Sequence, residues 1–137
     1  MTPCSVALAA HPNTPCPAVT GIHVDVERTG SGGLRLSYTL NADLSALRIP
    51  RSGSGVRRDG LWRHTCFEAF LLGADGHAYR EFNFSPSGDW QAYDFRAYRD
   101  GGGQPAIDPP RIERSESSGQ LCLTITLAPS ALPDARR

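Results

Sequence analysis

The sequence contains no lysine: all 14 of its basic residues are arginine, and they balance 14 acidic residues. A chain without net charge has no long-range field to attract it to nucleic acid or to an anionic membrane, so neither is expected as a partner. Arginine suits carboxylates and sugar hydroxyls, but the complete absence of lysine indicates a compositional bias of the genome rather than a function.

The sequence also lacks any apolar run long enough to cross a bilayer. Its N-terminus has no basic start of a secretory signal, and the apolar stretch at residues 6–10 is shorter than a signal core. The four cysteines form no CxxC pair and are predicted to be reduced structural thiols. These are Cys4, Cys16, Cys66 and Cys122. We therefore expect a cytoplasmic protein.

Motifs of catalysis and of metal binding are scarce. There is no GxSxG, HExxH or P-loop pattern. His64 and Cys66 form an HxC pair, but the other histidines have no paired spacing, so a zinc site is not expected. The sequence predicts a protein that is not an enzyme and that folds without a metal or cofactor.

Fourteen glycines and eleven prolines in 137 residues favour strands and turns within a single domain. Four prolines in residues 1–20 predict an extended lead-in, and residues 21–137 are expected to form the folded domain. Ile22, Val24 and Val26 alternate with polar residues, which predicts a strand with one buried face. The same alternation over 34–40 predicts the returning arm of a hairpin.

Three further strands are predicted in succession, over residues 65–72, 76–84 and 90–99, with turns at 73–76 and 85–88. The Gly- and Ser-rich residues 50–55 suit a mobile surface loop, and residues 100–110 suit a linker. A last alternating strand is predicted from Leu121 to Leu127. No helix is indicated. The predicted fold class is all-β, an antiparallel β-sandwich.

The predicted turn at 73–76 would set Leu72 opposite His77 and therefore Glu68 directly opposite Glu81. Like charges in that position destabilise a sheet unless a cation, a shared proton or a hydrogen-bonding ligand compensates. The alternation sets Glu68, Glu81 and Asn83 on one face. A similar register on the next strand adds Asp94 and Arg96 to that face and assigns Tyr93 and Phe95 to the core.

Aromatic rings stack on sugar faces, and carboxylates, amides and arginine bond hydroxyls. We therefore expect a concave sheet face that binds a carbohydrate or similar polyhydroxylated molecule. The candidate ligand-binding residues are Trp62, Glu68, Glu81, Asn83, Trp90, Asp94 and Arg96.

Four alternatives remain open at this point. The face could simply meet solvent, with Arg80 or Arg96 neutralising the acids. Paired carboxylates also serve retaining glycoside hydrolases. Glu68, Glu81 and Asp94 could instead hold Ca²⁺, which prefers oxygen ligands. The chain could also be a structural protein that assembles through exposed sheet edges.

Two runs carry a resemblance to a known family: residues 59–71, DGLWRHTCFEAFL, and residues 79–90, YREFNFSPSGDW. They resemble bacterial DOMON-like proteins related to family-nine carbohydrate-binding modules, over roughly residues 8–130. The resemblance implies a jelly-roll-like β-sandwich that binds sugars, with Glu68 on the acidic strand and Asn83, Gly88 and Trp90 on the ligand-lining hairpin. Some DOMON relatives hold a b-type haem through Met and His. The only methionine is Met1, so haem is not expected.

Members of this subgroup continue beyond the position of Arg137, so the resemblance also implies that terminal strands of the sandwich are missing here. A sandwich without them would expose an unpaired edge and part of its core. We therefore expect a homo-oligomer in which a second chain covers this edge.

Overall fold

The computed structural model describes residues 4–133, which form nine strands and three short 3₁₀ helices. The strands are β1 (Cys4–Leu8), β2 (Val19–Arg28), β3 (Leu34–Ala42), β4 (Phe67–Leu72), β5 (Tyr79–Phe84), β6 (Trp90–Ala97), β7 (Asp100–Gly103), β8 (Arg111–Ser117) and β9 (Gln120–Leu127). The 3₁₀ helices are Leu44–Ala46, Leu61–Arg63 and Pro129–Ala131.

The strands form two antiparallel sheets that pack as a sandwich, which confirms the predicted fold class. The five-stranded sheet has the order β1-β2-β3-β9-β8, and the four-stranded sheet has the order β4-β5-β6-β7. Residues 1–20, interpreted as a lead-in, contribute β1 to the first sheet, so this sheet begins before Gly21.

The core lies between β3 and β9 of one sheet and β5 and β6 of the other. Alternate side chains of β9, from Leu121 to Leu127, are fully buried, as the period-two pattern predicts. Phe82 and Phe84 of β5 are equally buried, and their rings stack 5.7 Å apart. Each such side chain contributes about 1.5–3 kcal/mol through removal from water, so this layer stabilises the sandwich.

The turn between β2 and β3 depends on glycine at one position. Thr29 N–H donates to the carbonyl of Gly33, which closes the turn. A Cβ on Gly33 would lie 2.1 Å from the carbonyl oxygen of Leu127 on β9, so a side chain there would force the neighbouring strand away.

Besides β1, two more strands were not expected. β7 lies inside the predicted linker, and β8 is an edge strand of largely polar residues that pairs with β9. Polar edge strands carry little hydrophobic periodicity, which is why the sequence pattern did not indicate β8. None of the helices within residues 4–133 is long and apolar enough to cross a membrane.

Candidate functional site

The hairpin between β4 and β5 sets the position of the two glutamates. Its turn covers residues 74–77 rather than 73–76, because the Asp75 carboxylate accepts hydrogen bonds from the N–H groups of His77 and Ala78. Leu72 therefore pairs with Tyr79 instead of His77. The direct opposition of Glu68 and Glu81 predicted from the sequence is wrong.

Glu68 lies opposite Asn83, and Phe70 lies opposite Glu81. Each β4 residue thus pairs with the β5 residue two positions later than predicted. Because side chains alternate with a period of two, both glutamates keep the predicted facing direction. Glu68 and Glu81 consequently project from the same side of adjacent strands, as predicted, but on a diagonal.

The next hairpin differs by a single residue, which has a larger effect. Ser85 pairs with Asp89 through a backbone hydrogen bond, leaving a three-residue loop, Pro86–Gly88, in which Gly88 has φ +96°. Phe84 therefore pairs with Trp90, and Arg80 pairs with Asp94. A one-residue slip transfers every side chain to the other face, so the predicted assignment of β6 is reversed.

Three of the candidate ligand-binding residues are therefore misplaced. Trp90 is 4% exposed and belongs to the core. Asp94 lies on the face that packs against the other sheet and accepts two hydrogen bonds from Arg80, at 2.6 and 3.0 Å. Arg96 is exposed and pairs with Asp100 at 3.1 Å. Neither Arg80 nor Arg96 neutralises the glutamates.

The face of the four-stranded sheet that points away from the core, here called the outer face, is a grid of three rows across β4, β5 and β6. The first row is Leu72, Tyr79 and Phe95, the second is Phe70, Glu81 and Tyr93, and the third is Glu68, Asn83 and Gln91. The face therefore changes from apolar and aromatic at one end to polar at the other.

Three aromatic side chains of the outer face form a contiguous cluster, here called the aromatic cluster. Tyr79 and Phe95 stack with ring centroids 5.0 Å apart and planes 14° from parallel. Phe70 is the third member of this cluster. Its ring centroid lies 6.0 Å from that of Tyr79, and its side chain is 60% exposed. Water thus reaches aromatic surface on a sheet face that also carries two carboxylates.

Glu68 and Glu81 have no basic partner among the residues that the structure describes. Burial raises the pKa of Glu81, and the charge of Glu68 raises it further, while the hydrogen bond from Asn83 lowers it. With its amide oriented to satisfy its neighbours, the Asn83 nitrogen donates to Glu81 Oε2 and to the carbonyl of Phe82, both at 3.0 Å. Asn83 is fully buried, so it supports Glu81 rather than contacting a ligand, which corrects its predicted role.

A polar network that the sequence did not reveal fixes the far side of the outer face. Asp59 Oδ1 accepts hydrogen bonds from Gln91 Nε2 at 2.8 Å, Tyr93 Oη at 3.0 Å and Gln104 Nε2 at 3.1 Å. Arg57 donates to Gln91 Oε1 at 2.6 Å, so Gln91 is held from both ends. Residues 56–59, expected beside a mobile loop, are therefore anchored to β6. The sequence signal that could have placed Gln91 and Tyr93 on this face is their alternation with Phe95, interpreted together with a three-residue loop before β6.

Trp62 lies on the 3₁₀ helix Leu61–Arg63, which packs against β5. Its indole is 57% exposed, and the Arg63 guanidinium lies over it at 5.0 Å. At the polar end, Cys66 Sγ donates to Glu68 Oε2 at 3.9 Å. Burial and the neighbouring Glu68 raise the pKa of Cys66 to about 12, so this thiol is neutral.

Within residues 4–133, no three His, Cys, Asp or Glu side chains lie close enough together to hold a metal ion. The alternative in which Glu68, Glu81 and Asp94 hold Ca²⁺ together fails, because Asp94 lies on the opposite face from Glu68 and Glu81. The chain matches no family model, no curated protein and no solved structure.

Proposed function

We propose that the protein is a non-catalytic module that binds a carbohydrate or similar polyhydroxylated small molecule on the outer face of the four-stranded sheet. The observation that carries this proposal is the aromatic cluster of exposed Phe70 and half-buried Tyr79 and Phe95, which lies beside Glu68 and Glu81, two carboxylates without a basic partner in the described part of the chain. Trp62, on the 3₁₀ helix that packs against β5, is a further exposed aromatic side chain.

A pyranose ring matches this surface chemically. Its C–H faces are apolar and stack on aromatic rings, and its hydroxyls donate hydrogen bonds to carboxylates. The outer face offers the two features side by side, with Phe70 directly opposite Glu81 on the neighbouring strand. A polyhydroxylated ligand would also compensate the repulsion between Glu68 and Glu81, because each carboxylate would gain donors.

Binding is favoured over hydrolysis because Glu68 is exposed and the face is open. A glycosidase needs a general acid in a site from which water is excluded, and it holds its two carboxyl groups on either side of the scissile bond. Glu68 and Glu81 instead project from the same side of one sheet. The relationship to jelly-roll-like DOMON proteins and a cytoplasmic location belong to the same proposal, and the four free cysteines support the latter.

The test is a saccharide screen followed by titration calorimetry on each positive sugar, with Glu81→Ala and Glu113→Ala compared. Glu113 lies on β8 of the other sheet and pairs with Arg111 at 3.5 Å, so it serves as a matched control. We expect Glu81→Ala to weaken binding at least about tenfold, through loss of a charged hydrogen-bond acceptor, and Glu113→Ala to leave it unchanged. Equal affinities in the two variants, or no sugar bound at millimolar concentration, would contradict the proposal.

A further inference from the structure

The two sheets of the sandwich differ in width on one side. β4, the edge of the four-stranded sheet, lies over β3, because Tyr38 of β3 donates from its hydroxyl to the carbonyl of Glu68 at 2.8 Å. β1 and β2 extend beyond this edge. Their inward side chains line two open clefts of about 440 and 270 Å³ instead of packing beneath a strand.

The uncovered part of the five-stranded sheet, here called the overhang, is the inner face of β1 and β2. Val6 pairs with Val24 and Leu8 with Ile22, so these four side chains share that face. Val6 and Leu8 are 43% and 48% exposed, whereas buried aliphatic side chains are the rule elsewhere on this face. The overhang carries no charged side chain among Cys4, Val6, Leu8, Ile22, Val24 and Val26.

The edge of β4 beside the overhang has free backbone groups. Gly73 N–H donates to the carbonyl of Ala78, and the alternation of an antiparallel ladder then directs the N–H and C=O groups of Glu68, Phe70 and Leu72 away from β5. Tyr38 uses one of these carbonyls. Neither β1 nor β4 contains a proline, and Glu68 is the only charged side chain on the two strands, so these edges carry little of the protection that edge strands commonly have.

The opposite side of the sandwich is protected in the usual way, which makes the contrast informative. β8 alternates charges, with Arg111, Glu113, Arg114 and Glu116 in seven residues, and β7 is a short strand with three glycines. Unpaired backbone groups and uncovered apolar surface therefore coincide on the β1 and β4 side.

We infer that a second copy of this chain covers the overhang, related by a two-fold axis that runs parallel to the strands. Such an axis exchanges the two layers of the sandwich. The partner's β1 then lies beside β4, and the partner's β2 lies next to it, so that the two overhangs face each other. The vacancy is two strands wide and the overhang is two strands wide, so the shape is self-complementary.

Strand direction agrees with this arrangement. One cleft brings Tyr38 and Leu40 against residues 65–68, and the other brings Leu34 and Leu36 against residues 69–71, so β4 runs opposite to β3. β1 runs parallel to β3, because both are antiparallel to β2. Rotation about an axis along the strands preserves direction, and the partner's β1 is therefore antiparallel to β4, as an added strand in this sheet should be.

The alternative symmetric pairing, β4 against β4, is excluded sterically. It requires a two-fold axis perpendicular to the sheet, which keeps both five-stranded sheets in one layer. The overhang of one copy would then occupy the space beneath the partner's β4, where the partner's β3 already lies. The overhang itself thus selects the exchange of layers.

Charge is compatible with the proposed contact as well. The outward side chains of β1 are Ser5 and Ala7, which are small and neutral and would lie beside Glu68 and Phe70. The strands are about 17 Å long, and the interface would bury on the order of 1,000 Å² in total, near the lower limit for a specific complex. We therefore expect a reversible dimer with a micromolar dissociation constant.

Sedimentation equilibrium tests the inference with Leu8→Gln and the matched control Ala7→Gln, which lies on the other face of the same exposed strand and adds no charge beside Glu68. Both positions are exposed in the single chain, so both variants should fold. We expect wild type and Ala7→Gln to dimerise alike and Leu8→Gln to weaken dimerisation at least about tenfold, because it buries an amide without a hydrogen-bond partner in each subunit. A wild type that stays monomeric at several hundred micromolar, or equal effects of the two variants on dimerisation, would overturn the inference.

A disulfide measures the geometry directly. Cys4 pairs with Val26, which pairs with Leu36, and this level along the strands faces residues 69–71 of β4. In the proposed dimer, Ala69→Cys should form an intermolecular disulfide with the partner's Cys4 under mild oxidation. The double variant Ala69→Cys, Cys4→Ala should not. Dimers cross-linked equally in both variants would contradict this arrangement. A failure here leaves the sugar-binding proposal intact, since that site lies on the outer face.

Discussion

Tyr79 and Phe95 stack across β5 and β6, with their ring centroids 5.0 Å apart and their planes 14° from parallel. The pair is a consequence of the three-residue loop between these strands, which sets Phe95 directly opposite Tyr79. Directly opposite aromatic residues support each other on a sheet. Here they also form the centre of the surface proposed to bind a sugar.

The first prediction concerns this pair. Phe95→Ala should weaken the binding of any saccharide identified in the screen by about threefold to tenfold or more, because a stacked ring contributes about 0.5–1.5 kcal/mol beyond the area that it buries. Phe95→Leu should lose almost as much, since it keeps apolar volume but no flat face. Calorimetric titration measures both. Full affinity in Phe95→Leu would mean that the face recognises apolar surface in general rather than a ring.

The second prediction concerns pH. Burial and the charge of Glu68 raise the pKa of Glu81 above its ordinary value. The stability associated with a raised carboxyl pKa is present below the ordinary value and is lost as pH rises through the raised one. Glu81→Gln, which can still accept the hydrogen bond from Asn83, should therefore be more stable than wild type at pH 7 and lose this advantage near pH 4.

The expected difference at pH 7 is below about 1 kcal/mol, because Glu81 is partly solvated. Urea unfolding at the two pH values measures it. Glu113→Gln on β8, which loses an exposed ion pair with Arg111, should gain no stability at pH 7. A Glu81→Gln variant that is less stable than wild type at pH 7 would show that the carboxylate is favoured where it stands.

The two hairpins of the four-stranded sheet explain how far the sequence could predict the site. Alternation located all three strands, but the register depends on which residues form each turn. The Asp75 side chain moves the pairing of β4 with β5 by two residues. A shift of two keeps every side chain on its predicted face, so Glu68 and Glu81 remain on the same side of the sheet. The turn at Gly88 moves the pairing of β5 with β6 by one residue. A shift of one exchanges the two faces of β6, so Trp90 and Asp94 do not lie on the face that carries Glu81.

The remaining differences arise from contacts between distant parts of the chain. Asp59 approaches Tyr93 across 34 positions of sequence, and Arg57 approaches Gln91 in the same way. Neither contact has a local signal, because a Gly- and Ser-rich segment precedes both residues and resembles a free loop. By contrast, the pairing of β2 with β3 is local and cleanly alternating, and it was predicted as observed.

The third prediction concerns thiol reactivity. A pKa of about 12 leaves Cys66 with roughly one part in ten thousand of thiolate at pH 8, so it should react slowly with iodoacetamide. Cys16 is exposed and should be labelled much faster than Cys66. Glu68→Gln removes a neighbouring negative charge and should accelerate labelling of Cys66 without changing that of Cys16. Peptide mapping by mass spectrometry follows both sites. Rapid labelling of Cys66 in wild type would contradict the environment described here.

The last prediction separates structural from binding roles on β6. Arg80 has a side chain only 13% exposed, and it donates to both carboxylate oxygens of Asp94 and, at 2.7 Å, to the carbonyl of Ala131. Asp94→Ala would leave this guanidinium without its counterion. Loss of one partner from a buried pair costs about 3–5 kcal/mol. Because the Asp94 side chain is 46% exposed, we expect a smaller loss, of about 2 kcal/mol, in urea unfolding.

Arg96→Ala provides the matched comparison two residues along the same strand. The Arg96 side chain is 83% exposed, and its ion pair with Asp100 should contribute no more than about 0.5 kcal/mol. Neither variant should change saccharide affinity in conditions where both are folded, because Asp94 faces the other sheet and Arg96 is paired away from Glu81. A loss of saccharide binding in Asp94→Ala without a loss of stability would show that Asp94 contributes to the binding site, contrary to the register of β6. Replacement of both Arg80 and Asp94 by leucine should recover most of the stability lost in Asp94→Ala, since no unpaired charge would remain between the sheets.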